Sequence, residues 1–139
     1  MDNSEKTDNN QYLHSDITGK ILKCFYQVFN HTGYGFNKDI YIKSLHLEFQ
    51  KNGLKSEISK NVEIFYQMKD VGNFSADIVV QDTILIKVGT SENLSQTDEL
   101  VLYNHLKTCI FEVGLLLNFG ITPLQRRKMF SNFNKSNMT

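Results

Sequence analysis

Residues 74–89 read FSADIVVQDTILIKVG. Phe74, Ala76, Ile78 and Val80 recur with the period of two that marks a strand. Gln81-Asp82-Thr83 is a short polar break, and Ile84-Leu85-Ile86 is the continuous apolar run expected of a central strand. The stretch therefore predicts two strands joined by a tight turn, the second running on through Lys87 and Val88. The first strand carries one acid, Asp77. Lys87 and Gly89 point to the same face of the second strand, because side chains alternate.

Working outward, Val62, Ile64, Tyr66 and Met68 also alternate, which predicts a preceding strand. Asp70-Val71-Gly72-Asn73 is the expected hairpin turn between it and the next strand. Upstream, Ile17, Ile21, Cys24, Phe25 and Val28 form one apolar stripe at helical spacing. Ser15 is the expected cap, and the helix is expected to stop near Asn30, before the glycine-punctuated loop His31 to Gly35. A second helix from about Lys38 puts Tyr41, Leu45 and Phe49 on one face, with Gly53 as its stop. Downstream, a third helix is expected from Gln96 or Thr97 to Thr108, then a buried strand from Glu112 to Phe119. Thr122-Pro123 reads as the start of a last short helix. The fold class is α/β (α+β), a mixed four-stranded sheet flanked by helices in the order ααβββαβα. The first three strands form a meander, and the fourth joins through a helical crossover.

The chain has 139 residues, 40% of them apolar, which suits one domain with a compact core. Fifteen basic residues balance fifteen acidic ones. A neutral surface is a poor long-range attractor for polyanions, which counts against a dedicated DNA-binding module. The charges are uneven, however. Glu112 is the last acid, and Arg126, Arg127, Lys128 and Lys135 follow it. Two readings stand: a solvated, slightly basic tail, or an arm that touches phosphate or an acidic partner. Cys24 and Cys109 lack zinc-site spacing and read as small core residues, which fits a reducing compartment. With no secretory segment and no membrane-spanning apolar run, the expectation is a soluble intracellular protein, with a virion component also open. Residues 1–14 are expected to be a disordered polar leader, 15–130 a single domain, and 131–139 a flexible basic and polar tail.

Several strings resemble the GxxExxY proteins of the PD-(D/E)xK nuclease superfamily over about Asp16 to Phe130. Gly33-Tyr34-Gly35-Phe36 is similar to that family's Gly-Pro-Gly-Phe loop, with Tyr34 in place of proline. Tyr41 matches the tyrosine that ends the name motif, and Leu54-Lys55 the stretch after the second helix. Phe74-Ser75-Ala76-Asp77 resembles its (Phe/Tyr)-x-Ala-Asp strand. Asn104-His105-Leu106-Lys107 resembles its Asn-Tyr-Leu-Lys helix, and Val113 to Gly120 its final strand. The resemblance implies a restriction-endonuclease-like core.

It also implies where the chemistry would lie. The family's Asp falls on Asp77. Its name-motif glutamate falls on Lys38, its second-strand glutamate on Lys87, its catalytic lysine on Gly89, and its third-helix glutamine on Val101. Phosphodiester hydrolysis with Mg²⁺ needs hard oxygen ligands, usually two carboxylates, and an ammonium cannot ligate the ion. The expectation is thus no catalytic or metal-binding residues and no cofactor, with Asp77 and Lys87 as vestiges. If those two are neighbours, the Lys87 ammonium takes the metal's place beside Asp77. Two rival readings stand. One is a Mg²⁺-dependent nuclease with a migrated site, using Asp77 and Lys87 with Glu63, Asp98 or Glu99. The other is a non-catalytic nucleic-acid-binding module contacting its ligand through Lys38, Lys87, Arg126, Arg127 and Lys128. The partners considered are a second copy of the chain, a larger protein assembly, and nucleic acid, with no membrane. His105, in the place of the family's tyrosine, reads as a half-buried, hydrogen-bonded histidine.

Overall fold

The computed structural model describes residues 12–135. In chain order the elements are α1 (Ser15–Thr32), α2 (Lys38–Lys51), β1 (Ser56–Tyr66), β2 (Lys69–Val80), β3 (Ile84–Gly89), α3 (Gln96–Thr108), β4 (Val113–Phe119) and β5 (Pro123–Met129). The strands form one sheet in the order β1-β2-β3-β4-β5. β3 and β4 pair parallel across the α3 crossover, while the other pairs are antiparallel.

The sheet is buried on both faces. Ile78, Val80, Ile84, Ile86, Val88, Leu115, Leu117 and Phe119 pack against α1 and α2. Val62, Ala76, Val79, Leu85 and Leu116 pack against α3. Two-sided burial explains why β3 and β4 read as apolar runs instead of alternating. Tyr41 ties α2 to the sheet. Its ring stacks on Phe119 with centroids 4.0 Å apart. Its hydroxyl donates to the Gly33 carbonyl at 2.6 Å and accepts from the Phe36 N–H at 3.2 Å. That pair of bonds sets the loop leading into α2, and with it the position of Lys38. Among the described residues no helix is long and apolar enough to cross a membrane.

Three sequence expectations are corrected. The element after β4 is a strand, β5, so the sheet has five strands and the order of helices and strands is ααβββαββ. Pro123 fits the first position of a helix, but it fits the start of an edge strand equally well. Three consecutive bases at Arg126 to Lys128 hid the alternation. The hairpin between β1 and β2 turns at Gln67-Met68, both left-handed (φ 49 and 63), and not at residues 70–73. Asp70 to Asn73 lie within β2, where a bulge opposite Ile64 and Phe65 absorbs the extra residue. At the first helix, His14 is the N-cap, and the helix continues to Thr32 before Gly33 at φ 70.

The ends also differ in detail. Of the expected leader, residues 1–11 lie outside the described residues, and Tyr12 to His14 lead directly into α1. Of the expected tail, residues 136–139 lie outside them. Asn132–Asn134 form a 3-10 turn. Lys135 is buried at 1% exposure, and its ammonium donates to the Cys109 and Phe111 carbonyls at 2.8 and 2.7 Å. It caps the end of α3, where unpaired carbonyls collect and a cation is favoured.

Candidate functional site

Asp77 sits where two strands part. The register pairs between β2 and β3 end at Ile78 opposite Ile86. Beyond that point the Val88 N–H donates to Asp77 Oδ2 at 2.8 Å, so a side chain replaces the next ladder bond. Strict alternation would put Ala76 and Ile78 on one face, yet they belong to clusters on opposite faces. β2 therefore rolls over at Asp77. Across the other edge, Ser59 takes a left-handed conformation (φ 54) beside the paired residues Ile58 and Lys60.

The ammonium of Lys38, the first residue of α2, lies 3.0 Å from the same Oδ2 atom. A cation at a helix N-terminus opposes the helix dipole. The Asp77 carboxylate offsets that and fixes the lysine. Asp77 is 17% exposed and Lys38 44%, so screening by water leaves the pair worth about 1 kcal/mol or less. Its significance is chemical: a cation holds the place beside Asp77 that a metal ion would need. The Lys87 ammonium, which would take that place if it neighboured Asp77, faces Asp98 instead, so the cation beside Asp77 is that of Lys38.

Lys87 points to the α3 side of β3. Its ammonium stands 4.0 Å from Asp98 Oδ1. Asp98 lies in the first turn of α3, where Ser95 Oγ accepts from its backbone N–H at 3.2 Å and caps the helix. His105, one face of α3 further on, stacks on Phe74 with centroids 3.7 Å apart. Burial, and then the Lys87 ammonium, push the His105 pKa below the usual histidine range. Asp77, Lys87 and His105 line a cleft of about 30 Å³, room for roughly one water.

Gly89 has no space for a side chain. A Cβ built there would lie 2.5 Å from Asn118 Oδ1 and 3.3 Å from Asp98 Oδ2. Asn118 is fully buried and clamps the segment after β3. Its Nδ2 donates to the Ser91 carbonyl at 2.9 Å, and its Oδ1 accepts from the Ser91 N–H at 3.3 Å. The position that the family resemblance assigns to a lysine is filled from the neighbouring strand.

The remaining expected residues fall into separate groups. Arg126 and Lys128, alternate residues of β5, both face Glu99 of α3, at 3.9 and 3.0 Å. Arg127 faces the other way. It donates to the Leu13 carbonyl at 2.8 Å and lies over the Tyr12 ring at 5.2 Å. The three consecutive bases thus form no single patch. Glu63 is exposed and pairs with Asn73 across the hairpin. Asn73 is four residues along β2 from Asp77, a separation of roughly 13 Å at strand spacing.

The residues present do not fit a divalent metal ion. Of the candidate carboxylates, Asp77 holds Lys38, Glu99 holds Lys128, Asp98 faces Lys87, and Glu63 is remote. Among the described residues, no three of His, Cys, Asp and Glu come together in a way that could hold a metal ion. Sequence reasoning missed two residues that shape the site. Asn118 was hidden in an apolar run. Lys38 reads in the sequence as a replaced glutamate and a candidate contact residue, and its pairing with Asp77 emerges only from the structure. A charge reversal beside a kept acid was the available signal.

A family model described as the PD-(D/E)XK nuclease superfamily matches residues 15–130. No curated protein and no solved structure matches the chain.

Proposed function

The chain belongs to the PD-(D/E)XK nuclease superfamily, and from that premise we propose that it is a non-catalytic member acting as a binding or structural subunit of a larger assembly. The observation that carries this reading is the Lys38 ammonium 3.0 Å from Asp77 Oδ2. Mg²⁺ requires near-octahedral oxygen ligation and retains its water shell unless carboxylates replace part of it. Here a tethered cation already neutralises the one carboxylate at the superfamily position. Any metal would have to displace it, then sit with Lys87 close by. Gly89 supplies no catalytic ammonium, and Asn118 blocks one from being added without rearrangement.

Within the superfamily, the Gly33 to Phe36 loop and the Val113 to Gly120 strand support a place among the GxxExxY proteins. Fold and activity are separable, so a scaffold that has lost its metal ligands stays available for other contacts. Nucleic acid is the less favoured partner. Lys38, Lys87, Arg126 and Lys128 are four cations facing three carboxylates, Asp77, Asp98 and Glu99, which leaves little net positive field. An intracellular or virion setting belongs to the same proposal.

Calorimetric titration with Mg²⁺ and Mn²⁺ tests it. Neither ion should bind wild type or Asp77→Ala at the site, and no phosphodiester cleavage should accompany either ion. Lys38→Glu serves as the contrasting variant, because it places two carboxylates together and should gain Mn²⁺ binding. Metal-dependent cleavage by the wild type that Asp77→Ala abolishes would overturn the proposal.

A further inference from the structure

The β1–β2 hairpin extends past the rest of the sheet. β3 covers only Ile78 to Val80 of β2, while β1 and β2 remain paired out to Tyr66 opposite Lys69. The tip of this arm is apolar and open to solvent: Tyr66 is 56% exposed, Met68 66% and Val71 61%. Met68 occupies a left-handed turn position (φ 63), where glycine would be relaxed and a side chain is strained by roughly 1 kcal/mol. Along the arm's flank lies an open groove of about 200 Å³, lined by Lys60, Val62, Glu63 and Phe65 of β1 and by Ile110 and Phe111. Ile110 is 57% exposed. Beside it stands Phe133, 92% exposed, on a turn held by the bond from Asn132 Nδ2 to the Ile110 carbonyl.

We propose that two copies of the chain associate about a two-fold axis, the arm tip of each seated in the other's groove. The groove has room for a methionine or valine side chain and not for a folded element. The arm leaves its own groove open: Met68 lies in the turn beyond Tyr66, past the bulge opposite Ile64 and Phe65, and is not among the residues that line the groove. The edges are complementary: Lys69 at the tip carries the charge opposite to Glu63 at the groove, and among the described residues neither is in an ion pair within the chain. The formal net charge of zero imposes no long-range repulsion between copies. Stable interfaces remove roughly 1,200–2,000 Å² from water. One inserted tip falls short of that, and two-fold symmetry doubles the contact. Direct strand addition at the β1 edge is disfavoured by the irregularity at Ser59 and by the charged Lys60.

Sedimentation velocity and light scattering on the full chain over a concentration series test this. Wild type should be a dimer. Met68→Glu in the tip and Ile110→Glu in the groove should each weaken association about a hundredfold, the scale of losing a central apolar anchor. Both positions are exposed, so thermal melts should confirm that both variants still fold. The decisive experiment mixes the two variants in equal amounts. A heterodimer keeps one intact contact, the tip of the Ile110→Glu chain in the groove of the Met68→Glu chain. Association should therefore be stronger in the mixture than in either variant alone. A monomeric wild type, a dimer unaffected by both substitutions, or a mixture that recovers nothing would each overturn the proposal. Because none of these residues touches Asp77, the result is independent of whether the site is catalytic.

Discussion

Adding a single methyl group at Gly89 tests the geometry of the site. The Cβ of Gly89→Ala would meet Asn118 Oδ1 at 2.5 Å, too close for a carbon that is not bonded to it. Asn118 is fully buried, so its amide has no solvent to swing into. To make room it must give up its two bonds to Ser91. Two neutral hydrogen bonds contribute about 2 kcal/mol in total. Residual crowding adds about 1–3 kcal/mol. The lower entropy of alanine in the unfolded chain returns about 0.4–1 kcal/mol. The net expectation is a destabilisation of about 3 kcal/mol, or roughly 10 °C in Tm for a domain of this size. The chain has no tryptophan, so urea unfolding should be followed by circular dichroism and tyrosine fluorescence. Asn118→Ala alone should cost about 1–3 kcal/mol for the same two bonds. In that background Gly89→Ala should cost almost nothing, since the remaining neighbour, Asp98 Oδ2 at 3.3 Å, ends a movable side chain. The coupling between the two positions is therefore expected to be about 2–3 kcal/mol. If Gly89→Ala matches wild type, or if the two substitutions simply add, Asn118 does not occupy the place argued for it.

Two further outcomes are expected. Lys135→Ala leaves the buried carbonyls of Cys109 and Phe111 without their cation, and stability should drop by about 2–4 kcal/mol. Faster hydrogen exchange in the last turn of α3 would accompany the drop, and a loss under 0.5 kcal/mol would refute the capping role. The lowered pKa of His105 makes stability depend on acid. Well above the unfolded value the histidine is uncharged in both states and its contribution is complete. As pH falls through the unfolded value, near 6.5, the unfolded chain takes the proton first, so stability declines until the folded histidine also titrates. Urea midpoints between pH 8 and 5 should fall more steeply for wild type than for His105→Phe, and parallel profiles would contradict the assignment.

Most of the fold was legible in the sequence. Periods of 3.6 and two are local properties, and they place α1, α2, β2, β3, α3 and β4 within a few residues. The misreadings share a cause, because each depended on a choice between two locally permitted conformations. Pro123 suits a helix start or an edge strand, and pairing with β4 decided for the strand. Asp70-Val71-Gly72-Asn73 suits a turn or a bulged strand, and the register with β1 decided for the strand.

The site divides along the same line. The sequence by itself determined which side chains were available: one superfamily carboxylate at Asp77, ammonium groups at Lys38 and Lys87, and nothing at Gly89. Only the tertiary structure decided their partners. Asp77 met Lys38 and not Lys87 because β2 and β3 part at Asp77 and Tyr41 anchors the start of α2 over that gap. Lys87 met Asp98 because strand alternation turned it to the face that α3 covers. Arg127 separated from Arg126 and Lys128 for the same reason, once those residues became a strand. Charge and periodicity are written along the chain, whereas an ion pair depends on distance in space, and that distance is set by where strands diverge and helices dock.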